Sequence, residues 1–379
     1  MSCACTSLYA QKFAYDVDLD FNFDNREYDH SSFAESMTIF SVRLTPAIGL
    51  DLDTKDGSNH DIMIGIDIMK DFGASPVSPE IHPDPSSEEL SKKQNNWDLF
   101  RELVLYYKWT KKIKKTDFSL TAGIFPRKFS KSRYSTAFFS DSLRFYDNNY
   151  EGLLLSFGRP EAHYEIGCDW MGKYGVDRRE RFMIFSAGEA RPADLLTLGY
   201  SAYLYHFAGA ENVQGVVDNA LINPYIGLDF SKMARMQELY FSLGWLQSMQ
   251  NDRRNVGKYV FPGGGECNIR LRNWNVGIDN RFFYGTDMMP YYNREDAAGC
   301  KYGNLLYQGD PFYRIKENGA KGWGIYDRLE VYYQPKISDF LSLKVSVVLH
   351  FNQGFSGWQQ CFGLNFNLQS LLSRTGKKS

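Results

Sequence analysis

Residues 13–24 place Phe13, Tyr15, Val17, Leu19, Phe21 and Phe23 on one parity and Ala14, Asp16, Asp18, Asp20, Asn22 and Asp24 on the other. A helix would scatter those aspartates around its circumference, whereas a strand gathers them on one face and the apolar side chains on the other. The pattern returns with Phe40, Val42, Leu44, Ile48, Leu50 and Leu52 against Ser41, Arg43, Thr45, Gly49, Asp51 and Asp53, and with Ile62, Ile64, Ile66 and Ile68 against Gly65 and Asp67. It recurs late in the chain, where Leu341, Leu343, Val345, Val347, Leu349 and Phe351 alternate with Ser342, Lys344, Ser346, His350 and Asn352. Eleven or more alternating positions is long for a globular sandwich, whose strands run about 5–6 residues.

Followed to the end, the alternation predicts strands near 13–24, 38–53, 61–71, 98–110, 116–125, 149–158, 161–172, 180–190, 195–207, 220–231, 238–249, 258–272, 275–285, 323–334, 339–352 and 358–368. Long and short connections alternate between them. The segments 25–37, 72–97, 126–148, 208–219, 250–257 and 286–322 are long, while tight turns fall at 55–58, 111–115, 159–160, 191–194, 232–237, 273–274 and 335–338. A Greek-key sandwich has no reason to sort its loops this way; an up-and-down barrel crossing a membrane does. The expected fold is therefore all-β, a closed antiparallel up-and-down transmembrane barrel of about 16 strands, with long loops on one side and short turns on the other. One barrel domain spans 11–368, the Pro- and Ser-rich stretch 75–91 being a loop within it and 369–379 a polar tail.

Composition agrees once it is read by parity. Mean hydropathy is only −0.42, and no run approaches the roughly 18–20 apolar residues of a spanning helix. In a barrel only alternate residues meet lipid, and backbone pairing closes on itself with no free edge. The 60 aromatics then find places in interfacial girdles, at Tyr106, Tyr107, Trp109, Trp245, Trp274, Phe282 to Tyr284, Trp323, Tyr332, Tyr333 and Trp358. Six scattered cysteines, Cys3, Cys5, Cys168, Cys267, Cys300 and Cys361, offer neither a zinc pattern nor a disulfide framework. Residues 1–10 read as the end of a secretory signal.

With these features on the page, the chain resembles Gram-negative outer-membrane barrels of the porin type, and the signal ending in Ala10-Gln11 is similar to those of Bacteroidetes exports. The run Thr121-Ala122-Gly123-Ile124-Phe125-Pro126-Arg127, a basic loop, and Tyr150-Glu151-Gly152-Leu153-Leu154 resemble the surroundings of the third long loop in phosphate-selective and related porins. The chain departs from the pattern in carrying residues 369–379 after Phe362, Leu364, Phe366 and Leu368, and the anion-binding residues of phosphate porins find no one-to-one match. The resemblance implies a cell-outer-membrane location, contact with outer-membrane lipid and lipopolysaccharide, passage of small polar solutes and a possible homo-oligomer. No nucleic acid or cofactor is expected.

Charge suggests where a pore would select. Residues 1–100 hold 18 acids against 7 bases, while 108–133 hold nine bases and the single acid Asp117. Lys111, Lys112, Lys114 and Lys115 read as a solvated turn. Arg127, Lys128, Lys131, Arg133 and Arg144 belong to the long loop 126–148. Folded inward, that loop would set its cations against Asp16, Asp18, Asp20, Asp51, Asp53 and Asp67, beside Arg43, and the transverse field would choose among solutes. Folded outward, it would meet only water or lipopolysaccharide. Loop aromatics at Tyr134, Phe138, Phe139, Phe145, Tyr146, Tyr291, Tyr292, Tyr302 and Tyr307 could stack on sugars or pack the loops together. Gly263 to Gly265 after Pro262 lack the Lys-Ser/Thr of a phosphate loop and predict a bulge or bend.

The expected function is a porin-like channel for passive diffusion of small polar or anionic solutes. The alternatives are an adhesion barrel with a blocked lumen and a barrel hydrolase using His163 or His206. No nucleophile motif accompanies either histidine, so the expectation is no enzyme.

Overall fold

The computed structural model describes residues 8–28, 35–73, 100–176, 178–296, 298–315 and 322–368. Sixteen antiparallel strands close into one barrel. In chain order they are β1 (Leu8–Glu27), β2 (Met37–Thr54), β3 (Ser58–Asp71), β4 (Phe100–Ile113), β5 (Thr116–Pro126), β6 (Asn149–Arg159), β7 (Ala162–Gly172) and β8 (Arg181–Ala190). The second half comprises β9 (Leu196–Phe207), β10 (Val217–Asp229), β11 (Glu238–Asp252), β12 (Gly263–Asn273), β13 (Val276–Thr286), β14 (Trp323–Tyr333), β15 (Leu341–Asn352) and β16 (Phe355–Asn367). Each strand pairs with its chain neighbours, and β1 closes the cylinder on β16 from Asp18↔Asn367 to Glu27↔Trp358. No described helix is long and apolar enough to cross a membrane.

The parity argument holds in space. Phe13, Ile48, Ile64, Leu105, Leu153, Leu204, Ile226 and Leu243 are exposed on the outer wall, while Ser41, Asp67, Thr121, Glu165, Ser201 and Glu266 are buried on the inner one. Trp245, Tyr284, Trp323 and Tyr333 lie on the outside as girdle residues should. Tyr106 and Phe283, expected in the girdles, are buried inside the barrel, and Tyr332 lines a lumenal cavity. They sit on the inward parity, and consecutive aromatics in a strand cannot share a face.

Boundaries differ where local chemistry interrupts the alternation. β1 begins at Leu8, inside the segment read as a signal remnant; residues 1–7, with Cys3 and Cys5, lie outside the described residues, as do 74–99 and the tail 369–379. The twelfth strand starts at Gly263 and not near 258, because Pro262 has no N–H to continue the ladder. Gly263 to Gly265 form no bulge; they pair in register with Gln247, Leu246 and Trp245. A Cβ on Gly264 would stand 2.5 Å from the Gly285 Cα, so glycine here allows two backbones to approach closely. The four described cysteines are free thiols.

Candidate functional site

Two loops decide what the lumen can do, and both fold into it. The first, residues 127–148, is fixed by buried carboxylates on the barrel's inner wall. Glu165 of β7 accepts bonds from the Ser130 hydroxyl (2.6 Å), the Lys131 amide (3.1 Å), the Ser132 amide (3.4 Å) and the Tyr134 hydroxyl (3.1 Å). Glu266 of β12 accepts from Ser135 (2.6 Å) on this loop and from Tyr313 (2.5 Å) on the second, residues 287–296 and 298–315. A buried carboxylate is tolerable only when its lone pairs are met in this way.

The loops then join each other. Ser140 N donates to Gln308 O and Asp310 N to Thr136 O, both at 2.8 Å, and a Cβ on Gly309 would lie 2.1 Å from the Ala137 carbonyl. Phe138, Phe139, Leu306, Phe312 and Tyr313 pack with the wall residues Phe185, Tyr203, Phe283 and Tyr326 into one buried cluster. These buried loop aromatics serve packing, and at about 1.5–3 kcal/mol for each fully buried large side chain they hold a plug in place, while Tyr146 and Tyr292 face the vestibule.

Of the two courses considered, loop 127–148 takes the inward one, and the predicted pore residues on it find mostly local partners. Lys128 meets Asp16 at 2.8 Å and also contacts Asp18; burial works against its charge, but the two carboxylates outweigh burial and raise its pKa. Arg127 pairs with Asp147 (2.6 Å) and Asp169 (2.9 Å), and Arg133 with Glu238 (3.2 Å), none of them in the predicted acidic set. Arg144 donates to the Tyr134 carbonyl at 3.5 Å, and Lys131 engages Glu165 through its amide. Arg43 pairs with Asp67 (3.0 Å) and donates to the Phe145 and Tyr146 carbonyls, tying down the helical turn Asp141–Tyr146. Asp20 accepts from Asn365 (2.6 Å); Asp51 and Asp53 accept from Asn59 near the short turns, away from the cations of the loop.

Above the plug, at the loop end, lies an open vestibule of about 680 Å³ whose lining includes Arg26, Tyr28, Asp310, Arg314, His350 and Gln359. Its chemistry centres on a histidine that the sequence reading did not single out. Asp24 of β1 accepts both bonds from the Gln359 amide nitrogen (3.1 and 3.3 Å), which turns the Gln359 carbonyl oxygen toward His350 Nε2 at 2.9 Å. The proton is thereby assigned to Nε2, leaving Nδ1 as the basic nitrogen. The Tyr326 hydroxyl stands 2.9 Å from Nδ1 and 3.2 Å from an Asp310 oxygen. One hydroxyl proton cannot serve two acceptors at once, so this pair has capacity for one further donor. Phe312 stacks on the imidazole at 4.3 Å between ring centres. Arg26 pairs with Asp24 at 2.7 Å, and the Arg314 guanidinium lies 4.1 Å above the Tyr292 ring.

The two histidines considered for a hydrolase, His163 and His206, are placed for structure. His163 donates to Glu165 at 3.2 Å, below the plug, and His206 stacks on Phe182 at 4.8 Å. Among the described residues no group of three His, Cys, Asp or Glu side chains could hold a metal ion.

Comparison with known proteins gives one strong match. The sequence profile of the lipid A 3′-O-deacylase-type family fits residues 7–374, nearly the whole chain. A search of curated proteins finds no match. Among solved structures, a triple mutant of the Rhodopseudomonas blastica porin aligns with 94% of this chain and 100% of its own at 11% identity and a TM-score of 0.45. OccAB3 of Acinetobacter baumannii covers 94% and 98% at 11% identity and a TM-score of 0.46. Likenesses this distant carry no functional argument.

Proposed function

The chain belongs to the lipid A 3′-O-deacylase-type family, and on that premise we propose that it is an outer-membrane hydrolase removing an ester-linked acyl chain from an outer-leaflet glycolipid. The membership corrects the expectation of no enzyme, which rested on the absence of a nucleophile motif. A histidine that activates water requires no such motif.

The observation that carries the reading is the hydrogen-bonded series Asp24, Gln359, His350, Tyr326 at the loop end. Asp24 orients Gln359, Gln359 fixes the imidazole tautomer, and Nδ1 takes a proton relayed by the Tyr326 hydroxyl from the water that attacks an ester carbonyl, returning it to the sugar oxygen as the acyl–oxygen bond breaks. Positioned general bases contribute about 10²- to 10⁴-fold to such reactions. Arg26 and Arg314, both lining the vestibule, offer positive charge to an anionic headgroup and to the oxyanion that forms at the carbonyl. An outer-leaflet lipid reaches the barrel from the loop end, so substrate and series are on the same side of the plug.

The channel reading retains the barrel itself and the wet cavities below the plug as its support. The buried aromatic cluster of the two loops counts against free diffusion.

The test is release of free fatty acid from lipid A micelles by the folded chain in detergent. His350→Gln is expected to lower the rate at least about 100-fold while heat-modifiable gel migration shows an intact barrel. Undiminished release by that variant would remove His350 from the reaction.

A further inference from the structure

The cation-rich stretch 108–133 is not used by the reaction proposed above, and the fold gathers it. The turn between β4 and β5 and the base of the inward loop line a single cavity of about 970 Å³ at the turn end of the barrel. Seven lysines and Arg159 line it, against the acids Asp117 and Glu161. Four of the lysines are occupied: Lys111 by Asp56 (2.7 Å), Lys112 by Asp117 (3.2 Å), Lys128 by Asp16 (2.8 Å), and Lys108 against the Phe129 ring at 4.8 Å. Lys114, Lys115 and Lys131 have no ion-pair partner among the described residues. Neutral donors, among them Asn59, Thr110 and Ser119, complete the lining.

A cleft lined by one sign of charge concentrates the opposite ion within it. Three uncompensated ammonium groups match an anion carrying several charges, and lysine serves phosphate as a point charge without needing the planar geometry of arginine. We propose that this basin is a binding site for a multivalent phosphate-bearing anion, entered from the turn end. It lies at the opposite end of the barrel from His350, so it stands or falls apart from the hydrolase reading.

The full chain, folded in detergent at ~0.15 M salt, is titrated calorimetrically with pyrophosphate. Saturable binding is expected, weakened at least tenfold in K114Q/K115Q/K131Q and unchanged in K232Q, which alters an exposed lysine on another turn. Vesicles containing phosphatidic acid, whose phosphomonoester carries more than one charge, compared with phosphatidylcholine alone, separate the two sources of phosphate. Competition with pyrophosphate assigns the site to a lipid headgroup, and no competition assigns it to a soluble anion. Absence of saturable binding to either probe, or equal affinity in the triple variant, overturns the proposal.

Discussion

The two ends of this barrel enclose the same kind of wall and do opposite things with it. Toward the loops, the lumen is filled by aromatic side chains and opens outward into a vestibule around His350. Toward the turns, it is hollow, with cavities of about 390 and 970 Å³ lined by arginine, lysine and carboxylate. The inward faces of the strands contribute aromatics of their own at the loop end, Phe185, Tyr203, Phe283 and Tyr326 among them, so strands and loops build the filled half together. Loops 127–148 and 287–315 supply the rest of that apolar surface through Phe138, Phe139, Leu306, Phe312 and Tyr313. A barrel built for diffusion keeps its lumen wet throughout; one that works on lipid from outside needs only the loop half to be ordered.

The largest expected effect breaks the comparison at its chemistry. His350→Gln should cost deacylation about 100-fold or more, whereas His163→Gln in the wet half and His206→Gln on the outer wall should leave fatty-acid release nearly as it was. Equal losses from all three would mean that the halves do not differ in function. Next comes the anchor of the plug. Glu165→Ala leaves the Ser130 and Tyr134 hydroxyls and two amides without their acceptor, and should destabilise the barrel by about 3–5 kcal/mol, read as a lower denaturation midpoint.

A smaller change targets the seam between the loops. Gly309→Val forces side-chain atoms against the Ala137 carbonyl, at a cost of about 1–3 kcal/mol. Planar bilayers should show open steps that the parent lacks; silence in both would leave the plug intact and place the seam elsewhere. The mildest effect is on acidification. Burial tends to raise the Asp296 pKa, but Arg179, at 2.6 Å, and two backbone amides outweigh it and hold the carboxyl below its usual 3.8. A depressed folded pKa contributes stability that is present above 3.8 and fades as pH falls through the lower folded value. Protection of the Ala298 and Cys300 amides, which donate to Asp296, against hydrogen exchange should therefore weaken only below about pH 4, and Asp296→Asn should remove that dependence.

Almost all of the wall was legible in the sequence because period two is imposed on every strand by the pleat. Each of the sixteen strands lies within a few residues of its predicted place, even where Pro262 shortens one. The plug was not legible, since loop aromatics such as Phe138 and Phe312 carry no period and their partners are far away in the chain. Glu165 and Glu266 looked like any other inward polar residue; only three-dimensional packing shows the donors converging on them. His350 was visible on the polar parity near the end of its strand, but nothing local distinguishes it from His163. What sets it apart is Asp24, 335 residues from Gln359 in sequence and brought beside it by closure of the cylinder.

The central claim is that the loop half acts on an acyl ester of an outer-leaflet lipid. It is tested most directly by the mass of that glycolipid extracted from Gram-negative cells producing the chain in their outer membrane. The account predicts a species lighter by one ester-linked acyl chain, absent when the cells produce the folded His350→Gln variant. An unchanged glycolipid mass in the presence of abundant, folded, unmodified protein would contradict it.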